Sequence, residues 1–247
     1  MSFSFGIEAK LFKYLFEPYK KFSVEVPIKV TENGLVIATL DVSRISLLYT
    51  EIPKEVLFNF NVKKEIILSV DPSHVLNFLK KVKDTDVLLF ESYRGNKLRL
   101  SIASRSGRRG RILPLLLTEE FAEKMPKIPE TWKGKVVLSA FTNGLMGEGD
   151  EITIVGEKNR MLIYSADITG LGDYCLLSTG EGIIEIDCVG KVKSTYVKSM
   201  MYNVCKLMTR LTDVVKITFS TNTPIRMEFQ MPYRGMVCNY YLAPRMV

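Results

Sequence analysis

Glu148, Asp150 and Glu151 form the tightest acidic group in the chain, and carboxylates at that spacing could hold a divalent cation for nucleic-acid chemistry. They stand at the start of a strand-like run without a second acidic cluster, which is the pattern of solvated loop charges rather than of a metal site. The single histidine, His74, lies at a helix start in Asp-Pro-Ser-His-Val, an ordinary place for a capping or surface residue. One imidazole builds no multi-histidine metal site, and no Cys-His or Ser-His arrangement accompanies it. Gly147-Glu148-Gly149 and Gly170-Leu171-Gly172 lack the flanking residues of a phosphate loop and read as turns. Cys175, Cys188, Cys205 and Cys238 form no CxxC pair, and such scattered thiols fit a reducing, intracellular setting. The expectation is a protein that is not an enzyme and that takes no cofactor or metal.

Binding chemistry is better represented. The 247 residues carry a net charge of +7, and 47% of them are hydrophobic, as in an ordinary globular protein. Residues 1–113 hold 19 Lys+Arg against 12 Asp+Glu, whereas residues 114–247 hold 15 of each, so the whole excess lies in the first half. A localised basic excess points to a polyanion, nucleic acid foremost, or to plain solubility. No apolar run approaches the roughly 18 residues of a membrane span, and the first residues lack a signal pattern.

The elements that would position these charges follow from periodicity. Apolar residues at 7–22 (Ile7, Leu11, Phe12, Leu15, Phe16, Tyr19, Phe22) predict a helix with Lys10, Lys13, Lys20 and Lys21 opposite, interrupted by Pro18. At 72–83 a second helix starts at Asp71-Pro72-Ser73 and presents Asn77, Lys80 and Lys81. At 195–211 a third presents Lys198, Lys206 and Arg210. Each stripe taken alone also fits the solvated side of an amphipathic helix. The remaining segments, among them 35–40, 46–52, 65–70, 87–91, 97–102, 136–138, 151–155, 160–165, 174–178, 183–188, 214–219, 225–230 and 237–242, read as mostly antiparallel strands. Asp86 matches Asp213 at an offset of 127 and Leu35 matches Met161 at 126, which argues for two tandem copies of one domain.

The ending Tyr240-Tyr241-Leu242-Ala243-Pro244-Arg245 resembles that of the proliferating cell nuclear antigen (PCNA) sliding clamps. So do Leu40 to Leu47, Leu113–Leu116 with Ile128-Pro129-Glu130, Thr212-Asp213-Val214 and Asn222-Thr223-Pro224-Ile225. The likeness runs along the whole chain, and the stop soon after Ala-Pro-Arg resembles archaeal members. It implies an α+β subunit of two clamp domains, 1–113 and 132–247, joined by a connecting loop at 114–131. Helices would line the inner face and antiparallel sheets the outside of a trimeric ring, homo- or heteromeric, around double-stranded DNA. The lysine stripes would then meet phosphates without reading sequence. Between Leu138 and Asp150 this chain departs from the family: AFTNGLMGEG is short, Gly-broken and without Lys or Arg, which implies a truncated helix.

The resemblance also makes 104–112 the edge strand of the first domain, with Arg105, Arg108, Arg109 and Arg111. Its counterpart is the edge near Gly172–Ser178, with Asp173, Tyr174, Leu176 and Leu177; from Asp167 to Asp187 there are five acidic residues and no basic one. Opposite charges on different edges favour head-to-tail assembly. A partner pocket is implied at Leu40, Ile45, Leu47, Met125, Pro126, Ile128, Pro224, Tyr241, Leu242, Ala243 and Pro244. It would take a short apolar-aromatic docking motif of DNA polymerase, clamp loader, flap endonuclease or DNA ligase.

Overall fold

The structure, a computed structural model, describes residues 3–116, 121, 125–166 and 172–245. It is α+β and divides into two compact units. The first comprises Met1–Arg44, Leu48–Glu123 and Tyr233–Val237; the second comprises Ile45–Leu47, Lys124–Pro232 and Cys238–Val247.

Within the first half of the chain the order is β1 (Phe3–Glu8), α1 (Ala9–Phe16), β2 (Val26–Thr31), β3 (Gly34–Leu40), β4 (Ser46–Pro53), β5 (Phe58–Val62), β6 (Ile66–Val70), α2 (Pro72–Phe78), β7 (Val87–Tyr93), β8 (Lys97–Ser104) and β9 (Gly107–Pro114). The second half repeats it element for element: β10 (Trp132–Val137), α3 (Leu138–Gly144), β11 (Glu151–Glu157), β12 (Arg160–Ala166), β13 (Gly172–Thr179), β14 (Gly182–Cys188), β15 (Val192–Val197), α4 (Lys198–Met208), β16 (Val214–Phe219), β17 (Ile225–Phe229) and β18 (Val237–Leu242). The residues that revealed the repeat occupy equivalent places. Asp86 and Asp213 each directly precede the strand after the second helix of their copy. Leu35 and Met161 are each the second residue of β3 or β12.

In the first unit, β5-β1-β7-β8-β9 form an antiparallel sheet, and β4-β3-β2-β6 lie in order in another. The equivalent strands of the second unit run β14-β10-β16-β17-β18 and β15-β11-β12-β13, joined where β13 pairs in parallel with β14 at Ser178↔Gly182 and Thr179↔Ile183. The core of the first unit is an aromatic stack. Phe5 and Phe90 lie 4.7 Å apart, Phe12 meets Phe90 edge-on at 5.1 Å, and Phe16 follows at 5.0 Å from Phe12. Tyr19 is fully buried there, donating its hydroxyl proton to the Ile37 carbonyl at 2.9 Å.

Element boundaries differ from the periodicity in a consistent way. Ile7 belongs to β1, not to the first helix, which begins at Ala9; a one-turn 3-10 helix, Pro18–Lys21, follows it. Residues 195–197 belong to β15, Leu138 opens α3, and α4 stops at Met208. The helix expected over 72–83 ends at Phe78, because the chain must turn back into β7. Buried Asp86 holds that turn, accepting the Lys83 N–H at 2.9 Å. Its start is as expected, with Asp71 accepting the Ser73 N–H at 2.7 Å ahead of Pro72.

Trp132 organises the second unit. Its ring lies over the backbones of Gly134 and Gly156, where an added Cβ would come within 2.3 and 2.5 Å of ring atoms. Its indole N–H donates to the Glu157 carbonyl at 3.2 Å. Gly156→Ala is therefore an overpacking substitution and should cost about 1–3 kcal/mol. Thermal unfolding followed by the fluorescence of Trp132, the only tryptophan, checks this; an unchanged midpoint would remove the close approach from the account.

Candidate nucleic-acid, edge and docking surfaces

On the first unit the basic residues form a helix surface and a sheet edge. On α1, Lys10 is ion-paired with Asp84 at 2.5 Å, which raises its pKa, and Lys13 donates to the Lys80 carbonyl at 3.4 Å. Lys20 and Lys21 are exposed on the 3-10 turn, and Asn77 on α2. Lys80 and Lys81, expected on the helix, are exposed on the turn after it. In the second unit Lys206 is exposed on α4 with its amine 5.3 Å from the Tyr202 ring centroid. Arg210 lies on the turn beyond that helix. Lys198 departs from the expected stripe: it is half-buried and its amine donates to the Gly147 carbonyl, which ties it to the loop after α3. Helix α3 spans seven residues and carries no Lys or Arg; its equivalent α1 spans eight, so between the two copies the helix is shorter by one residue.

The arginine edge is where the sequence places it. β9 ends its sheet, paired with β8 through Ser104↔Gly107 to Lys97↔Pro114, and is exposed from Gly107 to Ile112. Arg108 is paired with Glu91, Arg109 donates to the Phe78 carbonyl at 3.3 Å, and Arg111 lies over the Phe78 ring. Arg105 stands exposed in the β8–β9 turn. A groove of about 560 Å³ runs between this hairpin and the 81–86 turn, lined by Lys81, Lys83, Arg105, Arg108 and Arg109.

On the second unit β13 pairs with β12 throughout but with β14 at two residues only, so most of its other side is open. Tyr174 is 79% and Leu176 48% exposed, whereas Leu177, expected on the same surface, points into the core at 5%. Asp173 is exposed and accepts the Glu148 N–H at 3.0 Å. Glu185 and Asp187 lie opposite Lys135 and Lys133 of β10, so part of the acidic run is matched within the sheet. Asp167 lies outside the described residues. The acidic trio does not converge: Glu151 pairs with Arg245 at 2.9 Å, and Asp150 uses its carbonyl to accept the Lys198 N–H. Among the described residues no three His, Cys, Asp or Glu side chains gather as metal ligands, and no helix is long and apolar enough to cross a membrane.

Most of the expected docking residues gather in the second unit. The Ala243 N–H donates to the Ile45 carbonyl at 2.8 Å, and the Tyr241 hydroxyl reaches Met125 Sδ at 3.5 Å. Ile45 and Met125 are 37% and 41% exposed; Pro126 is exposed, and Ile128, Pro224, Ala243 and Pro244 are partly so. Leu47, Tyr241 and Leu242 are buried, so they form the floor rather than contact surface. Leu40 is partly exposed in the first unit. Part of the connecting segment, 117–120 and 122–124, lies outside the described residues.

One arrangement here escapes periodicity and spacing. Glu130 is clasped by Lys133 at 3.2 Å and by Arg226 of β17 at 3.1 Å, and Arg226 lies directly across from Tyr241 on β18. An arginine alternating with inward Ile225 and Met227 was the available signal. Lys133 first, then Arg226, holds the Glu130 carboxyl below its ordinary range.

Residues 5–110 match the family model for the proliferating cell nuclear antigen, N-terminal domain. The DNA polymerase sliding clamp of Pyrococcus furiosus is 27% identical over 241 residues, covering 96% of this chain and 95% of its own. DNA polymerase sliding clamp 3 of Sulfurisphaera tokodaii is 25% identical over 244 residues, 97% of each. Among solved structures, a PCNA2-PCNA3 complex from Sulfolobus tokodaii matches with a TM-score of 0.88 at 25% identity over 99% of both chains. PCNA of Thermococcus kodakaraensis matches in fold, with a TM-score of 0.90 at 20% identity over 98% of this chain and 100% of its own.

The clasp makes a titration prediction. A carboxyl whose folded pKa is depressed keeps its bonds above the ordinary carboxylate range and loses them as the pH falls through the lowered value. NMR of the Glu130 carboxyl should give a midpoint below the ordinary 4.5, and Lys133→Gln should raise it more than Arg226→Gln. The reverse order would reassign the clasp.

Proposed function

We infer that this chain, a member of the proliferating cell nuclear antigen family of DNA sliding clamps, is one subunit of a ring that closes around duplex DNA and tethers DNA-processing enzymes to it. The observation that carries the reading is the element-for-element duplication across a chain that aligns with sliding clamps over nearly its whole length. Function is then binding and tethering, not catalysis, and it is exercised inside the cell.

In this reading Lys10, Lys13, Lys20, Lys21, Asn77, Lys80, Lys81, Lys206 and Arg210 face the phosphates. The contacts are electrostatic and carry no base readout, as sliding requires. Lys198 is left out, because it is half-buried and tied to the loop after α3 at Gly147.

Closure joins the β9 edge of one subunit to the β13 edge of the next. Both are open along much of their length, and exposed backbone edges of this kind are stabilised by pairing. The joint would cover Ile112, Tyr174 and Leu176 and bring Arg105 and Arg109 toward Asp173. Two different edges make a heterologous contact, which gives a ring when the rotation closes. The neighbour is a second copy or a paralogue; the Sulfolobus tokodaii structure holds two different chains. The patch around Ile45, Met125, Ile128 and Pro224 takes the apolar and aromatic anchors of polymerase, clamp loader, flap endonuclease or ligase.

Assembled protein should remain on closed circular duplex and run off linear duplex with free ends. Equal loss from both would overturn the clamp reading in favour of an open-surface binder. Replacing Arg105 and Arg109 together by Glu should lower the assembled mass in light scattering, and an unchanged mass would remove these arginines from the joint. Lys20→Ala with Lys206→Ala should lessen the salt slope of duplex binding by about 0.9 for each phosphate that is no longer neutralised.

A further inference from the structure

The Glu130–Arg226 pair sits beside the proposed docking floor. Arg226 is 24% exposed, directly across from Tyr241, whose hydroxyl contacts Met125. Its guanidinium uses Nη2 to reach Glu130, while its Nε–H is buried and has no acceptor among the described residues. Thr218, opposite Arg226 on β16, is fully buried, and its hydroxyl has no partner either. A guanidinium presents a fork suited to two parallel bonds to one carboxylate, so this arginine is held through only part of its donor capacity. Glu130 keeps a second partner, Lys133 at 3.2 Å, when Arg226 turns away.

We propose that Arg226 is a specificity residue of the docking surface: a docked partner segment that carries an Asp or Glu beside its aromatic anchor takes Arg226 from Glu130, draws its unpartnered Nε–H out of burial and binds it through both the Nε and Nη2 donors. The inference rests on the docking reading above and adds a charge requirement to it. Glu130 is then an internal competitor that shields the arginine between partners. The exchange swaps one ion pair for another, so it biases the choice of partner more than it strengthens binding overall.

The test uses the full chain and two short fluorescent peptides with the same apolar and aromatic anchors, one carrying a Glu pair beside the aromatic end and the other a Gln pair. Fluorescence anisotropy should show roughly three- to tenfold tighter binding of the acidic peptide by the native chain. Arg226→Gln should abolish that preference. Arg226→Lys, which keeps the charge and loses the fork, should retain only part of it, and Glu130→Gln should widen it. Equal affinities for both peptides in the native chain, or a preference that survives Arg226→Gln, overturns the proposal while the docking reading stands. Binding of neither peptide overturns the docking reading itself. Unchanged circular dichroism of each variant excludes unfolding as the cause.

Discussion

Helices α1, α3 and α4 begin without a side-chain cap, and each has its first N–H taken by a main-chain carbonyl elsewhere in the same unit. Ala9 donates to Asp86 at 2.9 Å, Leu138 to Asp213 at 2.8 Å and Lys198 to Asp150 at 2.9 Å. A helix start otherwise leaves orphan donors at a cost of about 1 kcal/mol for a missing cap. Satisfying one of them from a segment beside the sheet also fixes where the helix leaves its strand. The strand passes into the helix at a single extended residue, Glu8, Val137 or Val197. With the junction fixed, the apolar face of each helix is committed to the sheet beneath it, and Lys10 and Lys13 of α1 and Lys206 of α4 are turned outward as a consequence.

This junction also decides what was legible in the sequence. α2 announces itself with Asp71-Pro72-Ser73, and its start is where the sequence places it. The other three carry no such signal, because the cap is a distant carbonyl. Ile7 and Val197 satisfy strand alternation and helical spacing at once, so the last residues of β1 and β15 were absorbed into the helices that follow them. Helix ends failed for a related reason: Lys80, Lys81 and Arg210 extend an amphipathic pattern past the point where the chain turns toward β7 or β16. The duplication was legible because it needs only order and offset, which survive such boundary errors.

Side-chain roles were less visible than elements. Tyr241, Leu242 and Leu47 fall in the second unit with most of the other expected docking residues, but only burial separates those beneath from those at the surface. The Glu130 clasp joins residues 96 apart in sequence, through a strand register that periodicity does not supply. The acidic trio illustrates the converse: close spacing promised a shared site, yet the loop sends Glu151 to Arg245 and leaves Asp150 acting through its backbone.

Many of the cations at the proposed surfaces have an internal partner. Lys10 has Asp84, Lys13 the Lys80 carbonyl, Lys206 the Tyr202 ring, Arg108 Glu91, Arg109 the Phe78 carbonyl, and Arg226 Glu130. Binding a phosphate or a carboxylate at such a site is an exchange of partners, so the net gain is a small difference between similar interactions. Small net gains at many sites give contacts that release quickly while the partnered cations remain satisfied between encounters. A ring that must move along DNA and hand its docking face from one enzyme to the next requires that property, because its hold on DNA comes from closure and not from affinity.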